Sequence, residues 1–230
     1  MVSSLPPPPS SPEFPPAIML AGEQARVLRT TDGLALEGLA RLPSTASRAV
    51  VLCHPHPLYG GSMHNAIIVV ITRALREAGG DEVGTLRFNY RGVQGSEGRY
   101  DDGQGEERDV LSAIDAVQRD LPEARVSVLG YSFGSWVGLR AAITHEAVDR
   151  VGLVAPAARI FKYPELASHR ALPIEIVVGD HDQFVQVGDA RALAERLGAR
   201  ITVIHGADHY FVKQRRVVAD AIVPFLLGAR

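Results

Sequence analysis

The sequence predicts an α/β fold: an open, mostly parallel sheet of about eight strands with helices on both faces, an N-terminal antiparallel hairpin and no cap domain. Three observations predict it. From Val50 onward, short apolar runs alternate with longer segments of helical spacing, the pattern of successive βαβ units. The runs are apolar at consecutive positions, as strands covered on both faces must be. Near the start, ARVLRT and LALEGLARL flank the turn signal TTDG and read as a hairpin.

The elements follow in order. Residues 1–17, MVSSLPPPPSSPEFPPA, are rich in proline and serine and are expected to form an extended, mobile leader. Residues 18–230 form one domain. After the hairpin, AVVLC is a buried strand. NAIIVVITRALREAGG has apolar residues at helical spacing and ends in glycines that suit a C-cap. VGTLRFNY is a strand, and GEERDVLSAIDAVQRDLP a helix whose acidic first turn complements the macrodipole. ARVSVLGYS is a strand and FGSWVGLRAAITHE a helix. RVGLVAP, PIEIVVGD and RITVIHG are further strands, with His205 at the end of the last, while GDARALAERLG and VKQRRVVADAIVPFLLG are helices. The stretch between Pro156 and Ile174 has room for one short helix at most, which is why no cap is expected.

Composition narrows the function classes. The chain has 230 residues, a net charge of −2 and 46 % apolar residues, ordinary for a globular domain with a sizeable core. Near-neutral charge gives no reason to expect nucleic acid or an anionic membrane as partner. No apolar run approaches the roughly 18 residues of a membrane span. Cys53 is the single cysteine, so no intramolecular disulfide can form, which is compatible with the reducing cytoplasm. No secretory signal is evident, and a cytoplasmic protein is expected.

Residues 130–135, GYSFGS, lie where a buried strand turns directly into a helix. The carboxyl ends of strands are where such sheets bind ligands. Gly130 and Gly134 relieve collisions across the tight turn. Ser132 is held out over the sheet edge, and the Phe133 amide falls at a helix N-terminus, where partial positive charge suits an oxyanion. A serine hydroxyl needs a base to become nucleophilic, and the base needs a carboxylate to hold its tautomer. Two later strand ends supply candidates, GDHDQFV and HGADHYF. Asp180 and Asp182 compete at the first; Asp182 is favoured because it reaches further into the loop. At the second, His209 is favoured over His205, because it lies on the loop and can swing towards Ser132.

The loop after AVVLC reads HPHPLYGGSMHN. Pro55 and Pro57 have no N–H to donate, so His56, Leu58 and Tyr59 remain as second oxyanion donors, His56 coming first beyond the strand. His54 is expected to be a hydrogen-bonded strut, and Cys53 a small buried residue. Two histidines make at best half a metal site, so no metal and no cofactor are expected. Leu58, Tyr59, Phe133, Phe184 and Tyr210, with Phe161 or Tyr163, are placed to line a binding site for apolar groups.

Taken together, HPHPLYGG, NYRGVQGSEG, GYSFGS, GDHDQFV and HGADHYF resemble a small lidless branch of the α/β-hydrolase superfamily, similar to dienelactone hydrolases and serine-aminopeptidase-like hydrolases. The chain carries Ser132 where dienelactone hydrolases carry cysteine. The resemblance implies a carboxylesterase-type serine hydrolase with Ser132 as nucleophile, Asp182 as acid and His209 as base. It also implies that Phe133 and the HPHP loop bind the oxyanion. The substrate expected is a small-molecule ester of small to medium apolar groups. A peptidase or thioesterase would use the same three residues; a non-catalytic interaction protein on this fold would be expected to lack one of them. Arg91 reads as an ion-pair partner, and Glu106 as part of a helix start.

Overall fold

The computed structural model describes residues 6–9, 13–166 and 172–228. Parts of the expected leader and of the connection after Pro156 lie outside those residues. Eight strands form one sheet in the order β1-β2-β4-β3-β5-β6-β7-β8. The strands are β1 (Gln24–Arg29), β2 (Ala35–Arg41), β3 (Arg48–Cys53), β4 (Val83–Phe88), β5 (Arg125–Tyr131), β6 (Val148–Val154), β7 (Ile174–Gly179) and β8 (Arg200–Ile204). β1 pairs antiparallel with β2, and β2 antiparallel with β4; every other pairing is parallel.

Strand composition follows from burial on both sides. In β3, Ala49, Val51 and Cys53 enter one apolar cluster while Val50 and Leu52 enter the other, because successive side chains alternate between faces. Helices α2 (Gln104–Asp120) and α3 (Phe133–Thr144) cover the first face. Helices α1 (Ala66–Gly79) and α5 (Arg215–Leu226) cover the second. Helix α4 (Val187–Leu197) packs beside β7 and β8. Asn65 caps α1 by accepting from the Ile67 amide at 2.9 Å. Helix α5 begins three residues later than the apolar spacing predicts. Phe211 adopts φ +48°, and Val212–Gln214 are used in the turn instead.

Two buried arginines tie the loops down. Arg91 holds Asp109 at 2.7 Å and Asp32 at 2.9 Å, the ion-pair role expected of it. Glu106 accepts from the Gly103 and Asp101 amides at 2.7 and 3.0 Å, closing the start of α2. Arg87 and Glu23 form a fully buried pair at 2.6 Å. Among the described residues no helix is long and apolar enough to cross a membrane.

The chain leaves β3 for β4 on one side and returns to β5 on the other. The crevice where direction reverses, at the carboxyl ends of β3 and β5, is where an open α/β sheet offers room for a ligand. Cys53 at the end of β3 stands beside Gly130 near the end of β5. The HPHP loop and the GYSFGS turn therefore emerge side by side.

Candidate active site

Ser132 sits between β5 and α3 at φ +53°, ψ −115°. A non-glycine residue there is strained and persists only where its surroundings hold it. Its amide donates to the Val154 carbonyl at 2.8 Å, hooking the turn to the end of β6. The two glycines are sterically required. A Cβ on Gly130 would stand 2.2 Å from the Gly134 carbonyl oxygen, and one on Gly134 would stand 2.3 Å from that of Cys53. The second contact presses the turn directly onto the end of β3.

Three side chains from three strand ends meet here. His209 Nε2 lies 3.1 Å from Ser132 Oγ. His209 Nδ1 lies 2.8 Å from Asp182 Oδ2. A proton on Nδ1, donated to the carboxylate, leaves Nε2 to accept from the serine hydroxyl. Asp182 Oδ1 in turn accepts from the Phe184 and Val185 amides, each at 2.8 Å. That loop geometry fixes the carboxylate and explains its full burial. Asp180 is used differently. It accepts from the Gly206 amide at 2.6 Å and faces His205 Nδ1 at 2.7 Å. His205 lies just past the end of β8, not within it, and its side chain is 95 % exposed.

His209 has a further restraint that the sequence reading missed. The Tyr131 hydroxyl donates to the His209 carbonyl at 2.9 Å. Burial pushes the Tyr131 phenol well above its ordinary value, so it stays a donor. Its position next to Ser132 in GYSFGS was the available signal.

The HPHP loop is built around two neutral imidazoles. His54 is fully buried; its Nδ1 donates to the Pro55 carbonyl at 2.6 Å and its Nε2 accepts from the Tyr90 amide at 3.1 Å. Burial lowers its pKa to about 3. It is the strut expected of it. Pro57–Tyr59 form a 3₁₀ turn, capped by His56 Nδ1 accepting from the Leu58 amide at 3.3 Å. Burial lowers the His56 pKa to about 4. The Tyr59 amide donates to the His56 carbonyl at 3.1 Å. The Leu58 and Tyr59 amides are thus engaged within the turn. Among the described residues, the His56 and Phe133 amides have no acceptor.

A cavity of about 190 Å³ opens at Ser132. Of the residues expected to line it, Tyr59, Phe161, Phe184 and Tyr210 do so, together with His56 and His209. Leu58 and Phe133 do not, and of the alternatives Phe161 or Tyr163 it is Phe161 that lines the cavity. The Phe133 ring is fully buried, 4.8 Å from the His56 ring, and the Tyr163 hydroxyl is bonded to Ser135 Oγ at 2.6 Å. Tyr131, Ile160 and Pro6 line the cavity without having been expected to. A wider depression of about 400 Å³ runs along β1 and β2, away from Ser132. Among the described residues, no group of three His, Cys, Asp or Glu is placed to hold a metal ion.

Comparison with known proteins places this geometry in a family. Residues 103–215 match the family model described as serine hydrolase. An uncharacterised protein of Rickettsia prowazekii (strain Madrid E) is 31 % identical over 198 residues, covering 82 % of each chain. The solved structure of an α/β serine hydrolase without lid from Xanthomonas campestris superposes with a TM-score of 0.77 at 26 % identity, covering 94 % of this chain and 96 % of that one. An α/β serine hydrolase homologue from Coxiella burnetii gives 0.78 at 29 % identity, over 92 % of this chain and 100 % of that one. A protein of unknown function from Agrobacterium tumefaciens, of α/β-hydrolase type, gives 0.81 at 27 % identity, over 88 % and 94 %. The chain belongs to the lidless serine hydrolases of the α/β-hydrolase superfamily.

Proposed function

We propose that the protein is a carboxylesterase acting on small-molecule esters of small to medium apolar groups through an acyl-enzyme on Ser132. One observation carries the reading. The Ser132–His209–Asp182 relay, with spacings of 3.1 and 2.8 Å, opens onto a cavity with aromatic walls.

In the first half-reaction Ser132 Oγ attacks the ester carbonyl carbon while His209 Nε2 takes its proton. The carbonyl oxygen becomes an oxyanion held by the Phe133 and His56 amides. The first stands at the N-terminus of α3, where the helix dipole adds to its pull. The tetrahedral intermediate collapses, and the alcohol leaves with the proton from His209. Water then attacks the acyl-serine with His209 again as base, releasing the acid and restoring the serine. The Asp182 carboxylate stabilises the imidazolium in both halves. Atoms balance with water as the second substrate.

The oxyanion assignment to His56 is supported by the occupation of the Leu58 and Tyr59 amides within the 3₁₀ turn. The apolar preference is supported by the rings of Tyr59, Phe161 and Phe184.

The test is labelling with a fluorophosphonate, followed by peptide mass mapping. Stoichiometric modification of Ser132 is expected, and none in Ser132→Ala. Labelling that persists in Ser132→Ala overturns the assignment. Relative rates on p-nitrophenyl butyrate, an aminoacyl amide and an acyl thioester then test the ester preference over a peptidase or thioesterase, with the ester expected to be fastest.

A further inference from the structure

A family without a lid leaves the mouth of its site open, yet here a segment remote in sequence lies against it. Pro6 lines the cavity that holds Ser132. The Tyr59 hydroxyl donates to the Pro6 carbonyl. The adjacent Gly60, at φ +78°, is approached by the same leader further along: a Cβ there would stand 2.3 Å from the Glu13 carbonyl oxygen. Two consecutive residues of the HPHP loop thus touch both described pieces of the leader.

The leader is also anchored at its root. Phe14 packs, half-buried, on the apolar cluster that includes Phe133. The Ile18 amide donates to His64 Nδ1 at 3.1 Å, and the Ile18 carbonyl accepts from Arg87 Nη2 at 2.6 Å. Arg87 is held by the fully buried pair with Glu23 and also donates to the Met63 carbonyl at 2.8 Å. One buried guanidinium therefore binds the root of the leader to the end of the HPHP loop.

The composition of residues 6–9, four consecutive prolines, suits a covering role. Proline has no N–H, so it can lie on an apolar mouth without burying an unsatisfied donor. Its φ is preset, so holding it in place costs little conformational entropy. Aromatic-lined grooves are a general way to hold such segments, and here a tyrosine hydroxyl reaches a proline carbonyl across a rim that also carries Phe161 and Tyr210.

We propose that the Pro6–Pro9 run, with Pro6 at the cavity, forms an intramolecular wall of the substrate site, docked on the aromatic rim as a proline-rich ligand would be. This wall limits the length of the chain that can reach Ser132. The proposal rests on the serine-hydrolase reading of Ser132. It goes beyond that reading by making the leader a determinant of substrate length in a lidless site.

The experiment uses fluorophosphonates with short and long alkyl chains, ethyl and dodecyl, and follows the rate of Ser132 labelling. Three proteins are compared with the full chain: one lacking residues 1–12, which keeps Phe14, Ile18 and Glu23; one carrying Pro6→Ser, Pro7→Ser, Pro8→Ser and Pro9→Ser; and Tyr59→Phe. The deletion is expected to raise the dodecyl-to-ethyl rate ratio about tenfold, the scale on which hydrophobic pockets discriminate chain length. The serine replacements and Tyr59→Phe shift the ratio the same way by less. If the ethyl reagent labels every form at similar rates and the ratio stays within about twofold, the wall is wrong and the serine-hydrolase reading stands. If the ethyl reagent labels no form, the serine-hydrolase reading fails and the wall fails with it.

Discussion

The HPHP stretch after β3 and the loop after β8 each carry two histidines beside the site, and they use them in opposite ways. After β3, the ring nitrogens of His54 and His56 that make hydrogen bonds make them to the backbone: Pro55 carbonyl, Tyr90 amide, Leu58 amide. Burial holds both rings neutral, at about 3 and about 4. After β8, His205 and His209 both face carboxylates, at 2.7 and 2.8 Å. An imidazole bonded to peptide groups is a spacer that shapes backbone. One bonded to a carboxylate can carry a proton, because the resulting cation has a counter-charge. Position then separates the last two. His205 projects into solvent, whereas His209 is enclosed and turned towards Ser132.

The comparison breaks most directly through activity. Ser132→Ala or His209→Gln is expected to lower kcat on p-nitrophenyl butyrate by about 10⁴- to 10⁶-fold, whereas His54→Gln leaves activity within about a hundredfold of the parent. Equal losses would erase the distinction between spacer and base. The two carboxylates sharpen it next. Asp182→Asn is expected to cost about 10⁴-fold in kcat through loss of the correct tautomer, and Asp180→Asn less than about threefold. The reverse ranking would move the acid to the exposed pair. Tyr131→Phe removes the hydroxyl that fixes the His209 carbonyl. It is expected to lower kcat about tenfold with KM unchanged, and an unchanged kcat would show that the loop holds itself.

The smallest effect is on stability against pH. Burial depresses the folded-state pKa of His54 from 6.5 to about 3, so the unfolded chain takes up the proton first as pH falls. The stability His54 supports is complete above its unfolded value and is lost on acidification towards the folded one. The slope is at most about 1.4 kcal/mol per pH unit, and His56 adds a second slope down to about 4. Urea unfolding at about pH 7.5 and about pH 5 is expected to show a smaller loss in His54→Gln than in the parent chain. An identical loss would mean that other groups set the acid sensitivity.

Much of this site was legible in the chain because its parts are local. GYSFGS announces a strained turn through the placement of its glycines, and Asp182 and His209 follow apolar strands within a few residues. The expectation that side chains near the serine would line the cavity held for Tyr59, Phe184, Tyr210 and, of the alternatives Phe161 or Tyr163, for Phe161, and failed for Leu58 and Phe133. The cause is that α3 turns Phe133 into an aromatic cluster with His56 and Trp136, away from the opening. Helix α5 likewise starts late because a turn between β8 and α5 takes residues that helical spacing alone would include.

Alternation of apolar runs with helical spacing was enough to specify a covered parallel sheet, and strand-end chemistry was enough to nominate serine, carboxylate and imidazole, since both signals are carried by neighbours in the chain. Which amide stays unengaged in the HPHP loop, which ring faces the opening, and which distant segment lies across it depended on packing. Those choices are made by contacts such as Tyr59 with Pro6, Tyr131 with His209 and Arg87 with Ile18. Such contacts join residues 53 to 78 positions apart, and no local pattern encodes a pairing at that distance.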